Sequence, residues 1–93
     1  MRASVVEIEI ADQEAEHGVR GARVRLDFDG EQEWFTLTIK PRVLRGFDAS
    51  LIMAGDALQD RFRADQGALH AICALVGRAA RHDPVHLPQR VAA

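Results

Sequence analysis

Val24-Arg-Leu-Asp-Phe-Asp-Gly-Glu-Gln-Glu-Trp-Phe-Thr-Leu-Thr-Ile39 is the stretch on which the fold turns. Val24, Leu26 and Phe28 alternate with Arg25 and Asp27, the period of two of a strand with one buried face. Asp29-Gly30 supplies two residues that tolerate positive φ, as a tight hairpin connection needs. On the return run Phe35, Leu37 and Ile39 share one face and Trp34, Thr36 and Thr38 the other. The core-facing set therefore carries across the hairpin, and Trp34 turns outward.

Upstream, Val6, Ile8 and Ile10 alternate with Val5, Glu7 and Glu9, which predicts a first strand whose buried face is Val6, Ile8 and Ile10. Ala11 to Gly21 is polar and contains Gly18 and Gly21, so it reads as a loop. Downstream, Lys40-Pro41 predicts a strand end. Pro41 suits the first position of a short helix carrying Val43, Leu44 and Phe47 at helical spacing. Leu51, Ala54, Leu58 and Phe62, then Leu69, Ile72 and Val76, keep spacings of three and four, and Asp65 and Gly67 divide them into helices near 51–64 and 66–81. A second reading makes Ala49 to Met53 a fourth strand and lets Asp56 cap a helix starting at Ala57. Val85-His86-Leu87, between two prolines, reads as a short edge strand, and the chain beyond Pro88 as a frayed tail.

These elements predict one α+β domain over residues 1–93: a three- or four-stranded, mainly antiparallel sheet with the C-terminal helices packed on one face. The expected core is Phe28, Phe35, Leu37, Ile39, Leu44, Phe47, Leu58, Phe62, Leu69, Ile72 and Val76. With 93 residues, 47% hydrophobic and 28% charged, the chain has globular composition and little room for an enclosed cleft between lobes. The net charge of −2 divides unevenly. Met1 to Glu33 holds nine acidic against four basic residues, and Trp34 to Ala93 holds five against eight. The halves are expected to complement each other in the fold or in a dimer.

Four residue sets invite a functional reading. His70 and Cys73 at i and i+3, followed by His82 and His86, have donor types that suit zinc. Their spacing matches no common zinc module, and buried Cys and surface His account for them, so no metal and no cofactor is expected. Arg61, Arg63, Arg78 and Arg81 on the helices are candidate anion contacts. A small nucleic-acid-associated regulator using these Arg-bearing helices is the alternative reading; the acidic net charge, the lack of tyrosine and a single tryptophan weigh against it, and helix-face pairing with Asp56, Asp60 and Asp65 explains the arginines. Asp27-x-Asp29-Gly30 lacks the spacing of a calcium loop. Trp34, Thr36 and Thr38 form the fourth set, an outward sheet face on which a large aromatic marks either a contact with another protein or a second copy, or a patch covered within the monomer by a helix or the Ala11 to Gly21 loop. Ser4 and Ser50 have no histidine close in sequence and no nucleophile elbow around them, so no enzyme is expected. A single cysteine, no apolar run long enough to span a bilayer and no signal-like N-terminus point to a cytoplasmic protein without a membrane segment.

From Phe28 onward the order of features resembles a small bacterial family known as domain of unknown function 1488. The resemblance rests on a strand like Phe35-Thr-Leu-Thr-Ile39, a segment like Pro41-Arg-Val-Leu44, helical stretches like Phe62-Arg-Ala and Leu69-His-Ala-Ile72, and an ending like Pro84-Val-His-Leu87. It covers about two thirds of the chain. Gly77-Arg-Ala-Ala80 and Gln89-Arg-Val-Ala92 stand where that family tends to carry an aromatic and an acidic-aromatic pair. The resemblance implies a small bacterial α+β domain and brings no catalytic residues.

Overall fold

The computed structural model describes residues 2–12, 16–44 and 46–93, with the side chains of residues 16, 43, 44, 47 and 48 left aside. The expected hairpin is present. β2 (Arg20–Phe28) and β3 (Glu31–Leu44) pair antiparallel with Phe28 opposite Glu31. Asp29 and Gly30 turn the chain with φ of 55° and 100°, both in the region an Asp-Gly hairpin turn requires. Asp27 Oδ1 accepts from the Gly30 N–H at 2.7 Å and stiffens that turn.

β1 (Ala3–Ile10) joins β2 antiparallel, but its buried face changes phase partway. Val5 lies opposite Leu26 and Glu7 opposite Arg25, leaving Val6 as the extra residue of a β-bulge. Ala3 and Val5 therefore join Ile8 and Ile10 on the core side, and Val5 is fully buried. An uninterrupted period of two had placed Val5 on the wet face; the bulge corrects this.

Among the described residues the sheet has five strands rather than three or four, in the order β4-β3-β2-β1-β5. The added strands lie where the sequence suggested other structure. β3 does not stop at Lys40-Pro41; it runs to Leu44 and turns back, with Gly46 at φ 82°, into β4 (Phe47–Ala54). No helix forms around Pro41. The reason lies in the ladder. The Gly55 N–H donates to the Thr36 carbonyl at 3.0 Å, one step beyond the Leu37–Ala54 pair, and so marks a hydrogen-bonded pair. Such pairs alternate along an antiparallel ladder, which makes Pro41 opposite Ser50 a non-bonded one. The N–H that Pro41 lacks would have pointed away from β4, past the start of β2 at Arg20. No ladder bond is lost, so the proline is tolerated as on a sheet edge.

β4 also replaces the first half of the helix expected over 51–64 and agrees with the second reading of that stretch. α1 (Asp56–Arg61) follows with Gly55, not Asp56, at its N-cap. Leu51 and Ala54 share a helical spacing by coincidence; in the strand they face opposite sides. α2 (Gln66–Ala80) starts where Asp65 accepts from the Ala68 N–H at 3.0 Å. It ends with His82 at φ 60° and two closing bonds, His82 N–H to Ala79 O and Asp83 N–H to Arg78 O. These are the bonds of a Schellman C-cap. Val85 to Leu87 is not a strand. Both residues pack as half-buried side chains on the core, and the expected frayed tail is β5 (Gln89–Ala92), paired with β1 through Ala92 opposite the buried Ala3.

α2 touches β4 at one edge of the sheet and β1 and β5 at the other, so the sheet curls into a half-barrel. Phe35, Leu37, Ile39, Leu58, Phe62, Ile72 and Val76 are buried in one cluster, as expected, and Phe28 and Leu69 pack half-buried against it. Val24, Leu26 and Leu75 belong to it as well. The expected core residues Leu44 and Phe47 lie outside the described side chains. Phe28 meets Phe35 edge-on at 6.2 Å and Phe62 at 6.1 Å, separations at which aromatic pairs attract.

Candidate functional site

The convex sheet face divides into a charged part and an apolar part. Register sets Glu7, Arg25 and Trp34 in one cross-strand row and Glu9, Arg23 and Thr36 in the next. Arg25 pairs with Glu7 and Arg23 with Glu9, each at 2.6 Å. The Arg23 guanidinium, bonded to Glu9, holds that carboxyl below its ordinary range, and Glu9 in turn raises Arg23. The two guanidinium groups also lie over the Trp34 ring, at 4.2 and 5.4 Å from its centroid, within cation–π range. The cover on Trp34 thus comes from arginines of the neighbouring strand, and 37% of the residue stays exposed. Thr38 lies opposite Met53, and Lys40 opposite Leu51. Leu51 and Met53 are 41% and 42% exposed, which extends the Trp34, Thr36, Thr38 face with apolar surface toward β4.

β4 is an outer strand of the sheet. The alternation that spares Pro41 directs the N–H and C=O of Ser50, Ile52 and Ala54 away from β3, toward the free side. Gln59 Nε2 donates to the Ala54 carbonyl at 2.7 Å and closes one end of that edge. From Ala49 to Ala54 the strand carries no charge, whereas outer strands are commonly guarded by charged residues or proline.

On the concave side an open groove of about 650 Å³ separates β4 from α2. Ile52 and Ala54 line it from the strand, and Leu69, Cys73 and Gly77 from the helix. Gly77 faces Ile52 across it: a Cβ there would stand in ordinary contact, 3.6 Å from Ile52. Burial among apolar groups pushes the Cys73 thiol above its ordinary value, which disfavours the nucleophilic thiolate.

The helical arginines do not act as one set, and of the expected partners Asp56, Asp60 and Asp65 only Asp60 pairs with one of them among the described residues. Arg61 lies over Phe28 at 4.4 Å and pairs with Glu33, which is also an ion pair between the acidic and basic halves. Arg63, in the turn that follows α1, pairs with Asp60 of that helix. Arg78 and Arg81 both line the groove, where Arg78 donates to the Pro84 carbonyl at 2.8 Å and Arg81 lies 3.4 Å from Asp83. The His/Cys set is dispersed: His70 and Cys73 line the groove, while His82 lines a recess beside β1 with Ile8 and Asp12. Among the described residues no three His, Cys, Asp or Glu side chains converge as metal ligands, and no helix is long and apolar enough to cross a membrane.

Sequence reasoning places Trp34 on an outward face and misses the groove, because the spacing of Leu51, Ala54 and Leu58 reads as helix as well as strand. The uncharged run from Ala49 to Ala54 was the signal available. Comparison with protein families, with curated proteins and with solved structures finds no match to this chain.

Proposed function

We propose that this chain is a non-catalytic interaction module that accepts a strand from another protein, or from a second copy of itself, along the free edge of β4. The observation that carries the reading is the uncharged edge at Ser50 and Ile52, flanked by exposed Leu51 and Met53. An unguarded edge is a template for strand addition, in which main-chain bonds supply affinity and alternate side chains supply selectivity. On this reading both helices cover only the concave face, and the convex face around Trp34, Thr36 and Thr38 borders the incoming strand. The module acts in the cytoplasm, consistent with Cys73 as an unpaired thiol. We also set the chain beside the domain of unknown function 1488 family; that likeness lends no activity.

A photo-crosslinking residue in place of Leu51, irradiated in the producing cells, should form an adduct that the same residue at Asp29, in the turn between β2 and β3, does not. Ser50→Pro deletes one edge N–H without touching the β3 ladder and should remove the adduct while leaving the far-ultraviolet dichroism unchanged. Equal labelling at both positions, or an adduct indifferent to Ser50→Pro, overturns the reading.

A further inference from the structure

We infer that the strand added at β4 is an extended peptide bearing a carboxylate side chain, received in the β4–α2 groove by Arg78 and Arg81; the inference rests on the strand-addition reading above. A strand laid beside β4 turns every second side chain onto the concave face, level with Ser50, Ile52 and Ala54. That is where the groove opens. Among the described residues its ionisable lining groups are His70, Cys73, Arg78 and Arg81, with no Asp or Glu. Arg78 is engaged by a neutral carbonyl, so its charge stays uncompensated, and Asp83 meets Arg81 only at 3.4 Å on exposed side chains. A carboxylate is the complement the described lining lacks, and arginine is the side chain best shaped to bind one in a forked pair.

The groove also has a direction. Gly77 lies against Ile52, Gln59 is bonded to Ala54, and Arg78 and Arg81 come at the C-terminal end of α2. The acidic side chain therefore belongs at the Ser50 end and small apolar ones at the Ala54 end, beside Leu69 and Cys73. The Gln59 bond to the Ala54 carbonyl terminates the ladder there. A second copy fits less well: pairing β4 with β4 about Leu51 sets Ile52 of the other chain level with Ser50, and the two-fold brings a second pair of arginines instead of a carboxylate.

The probes are fluorescein-labelled octapeptides of alternating Val and Thr, with one alternate position Glu, Gln or Lys, titrated by anisotropy. The Glu peptide should bind about tenfold more tightly than the Gln peptide, with Lys weakest, because a charge-assisted bond replaces a neutral one. In Arg78→Gln/Arg81→Gln, whose changed side chains are exposed, the Glu and Gln peptides should bind within about twofold of each other, and salt should erode the wild-type preference. Equal binding of Glu and Gln peptides, both weakened by Ser50→Pro, overturns the carboxylate inference and leaves strand addition standing. Glu-peptide binding indifferent to Ser50→Pro overturns strand addition itself. No binding of any peptide at millimolar concentration, with self-association in sedimentation that Leu51→Lys abolishes, assigns the edge to a second copy and overturns the inference.

Discussion

Replacing Gly55 and Gly77 separately by alanine should move stability in opposite directions, although both glycines have φ values open to alanine. Gly77 sits inside α2, where glycine costs about 0.8–1.0 kcal/mol relative to alanine. The new Cβ would lie 3.6 Å from Ile52 Cγ1 and from Arg81 Nη1, ordinary contact that forces nothing to move. Gly77→Ala should therefore gain about 1 kcal/mol, which for a domain of this size raises Tm by roughly 4–8 °C. At Gly55 the Cβ would lie 2.9 Å from both the carbonyl O and Oγ1 of Thr36. That carbonyl is held by the Gly55 N–H at 3.0 Å, so the strain falls on the backbone of β3. Overpacking of this kind costs about 1–3 kcal/mol, and the stiffer unfolded chain returns only about 0.4–1 kcal/mol. The net expectation is a loss of about 1–2 kcal/mol. Urea unfolding followed by circular dichroism reads both, since an m-value of about 1–3 kcal/mol/M turns such changes into midpoint shifts of about 0.3–2 M. A Gly55→Ala protein as stable as the parent would refute the close approach of the β4 end to β3. A destabilised Gly77→Ala would show that α2 leaves no space above Ile52.

Three further outcomes are expected. Phe62→Ala should cost about 3–5 kcal/mol and Ile72→Ala about 2–5 kcal/mol, since both side chains are fully buried, and an unchanged urea midpoint for either would show that its core placement is wrong. His82→Gly should raise stability by about 0.5–1 kcal/mol, because glycine occupies the φ of 60° without the steric cost a Cβ incurs; a lower Tm would show that the His82 side chain contributes more than its backbone costs. Burial raises the Cys73 thiol in the folded chain, so the native protein favours the neutral form. The stability this contributes is complete below the unfolded thiol's ordinary value of 9.0 and is lost as pH rises through the higher folded one. Iodoacetamide should accordingly label native Cys73 more slowly than the urea-unfolded chain at pH 8; equal rates would contradict the burial.

The legible parts of this chain are those in which local chemistry and long-range pairing agree. Asp29-Gly30 demands a turn and the alternation on either side demands two strands, so β2 and β3 follow from neighbouring residues alone. Asp65 and Gly67 break the apolar stripe and Leu69, Ile72 and Val76 resume it at helical spacing, so α2 is equally plain. The errors fall where a distant partner overrules a local preference. Pro41 stops a strand in isolation, and here it continues one because its missing N–H faces a side β2 has already left. Val5 stands on the wrong face of a regular strand until the Val6 bulge shifts the phase. The groove was unreadable for the same reason, since it exists only because α2 lies beside a strand that the residue spacing rendered equally well as helix.

The sequence by itself determined an α+β chain built on the 24–39 hairpin and an outward Trp34, because these depend on period, turn chemistry and composition. Only the tertiary structure decided the fate of Ala49 to Ala54 and of Gln89 to Ala92, whose strand form requires the backbone of β3 and of β1 as partners. It also set Arg78 and Arg81 beside the free edge of β4. Sheet order and curvature bring those residues together, and neither is written in the spacing of side chains along the chain.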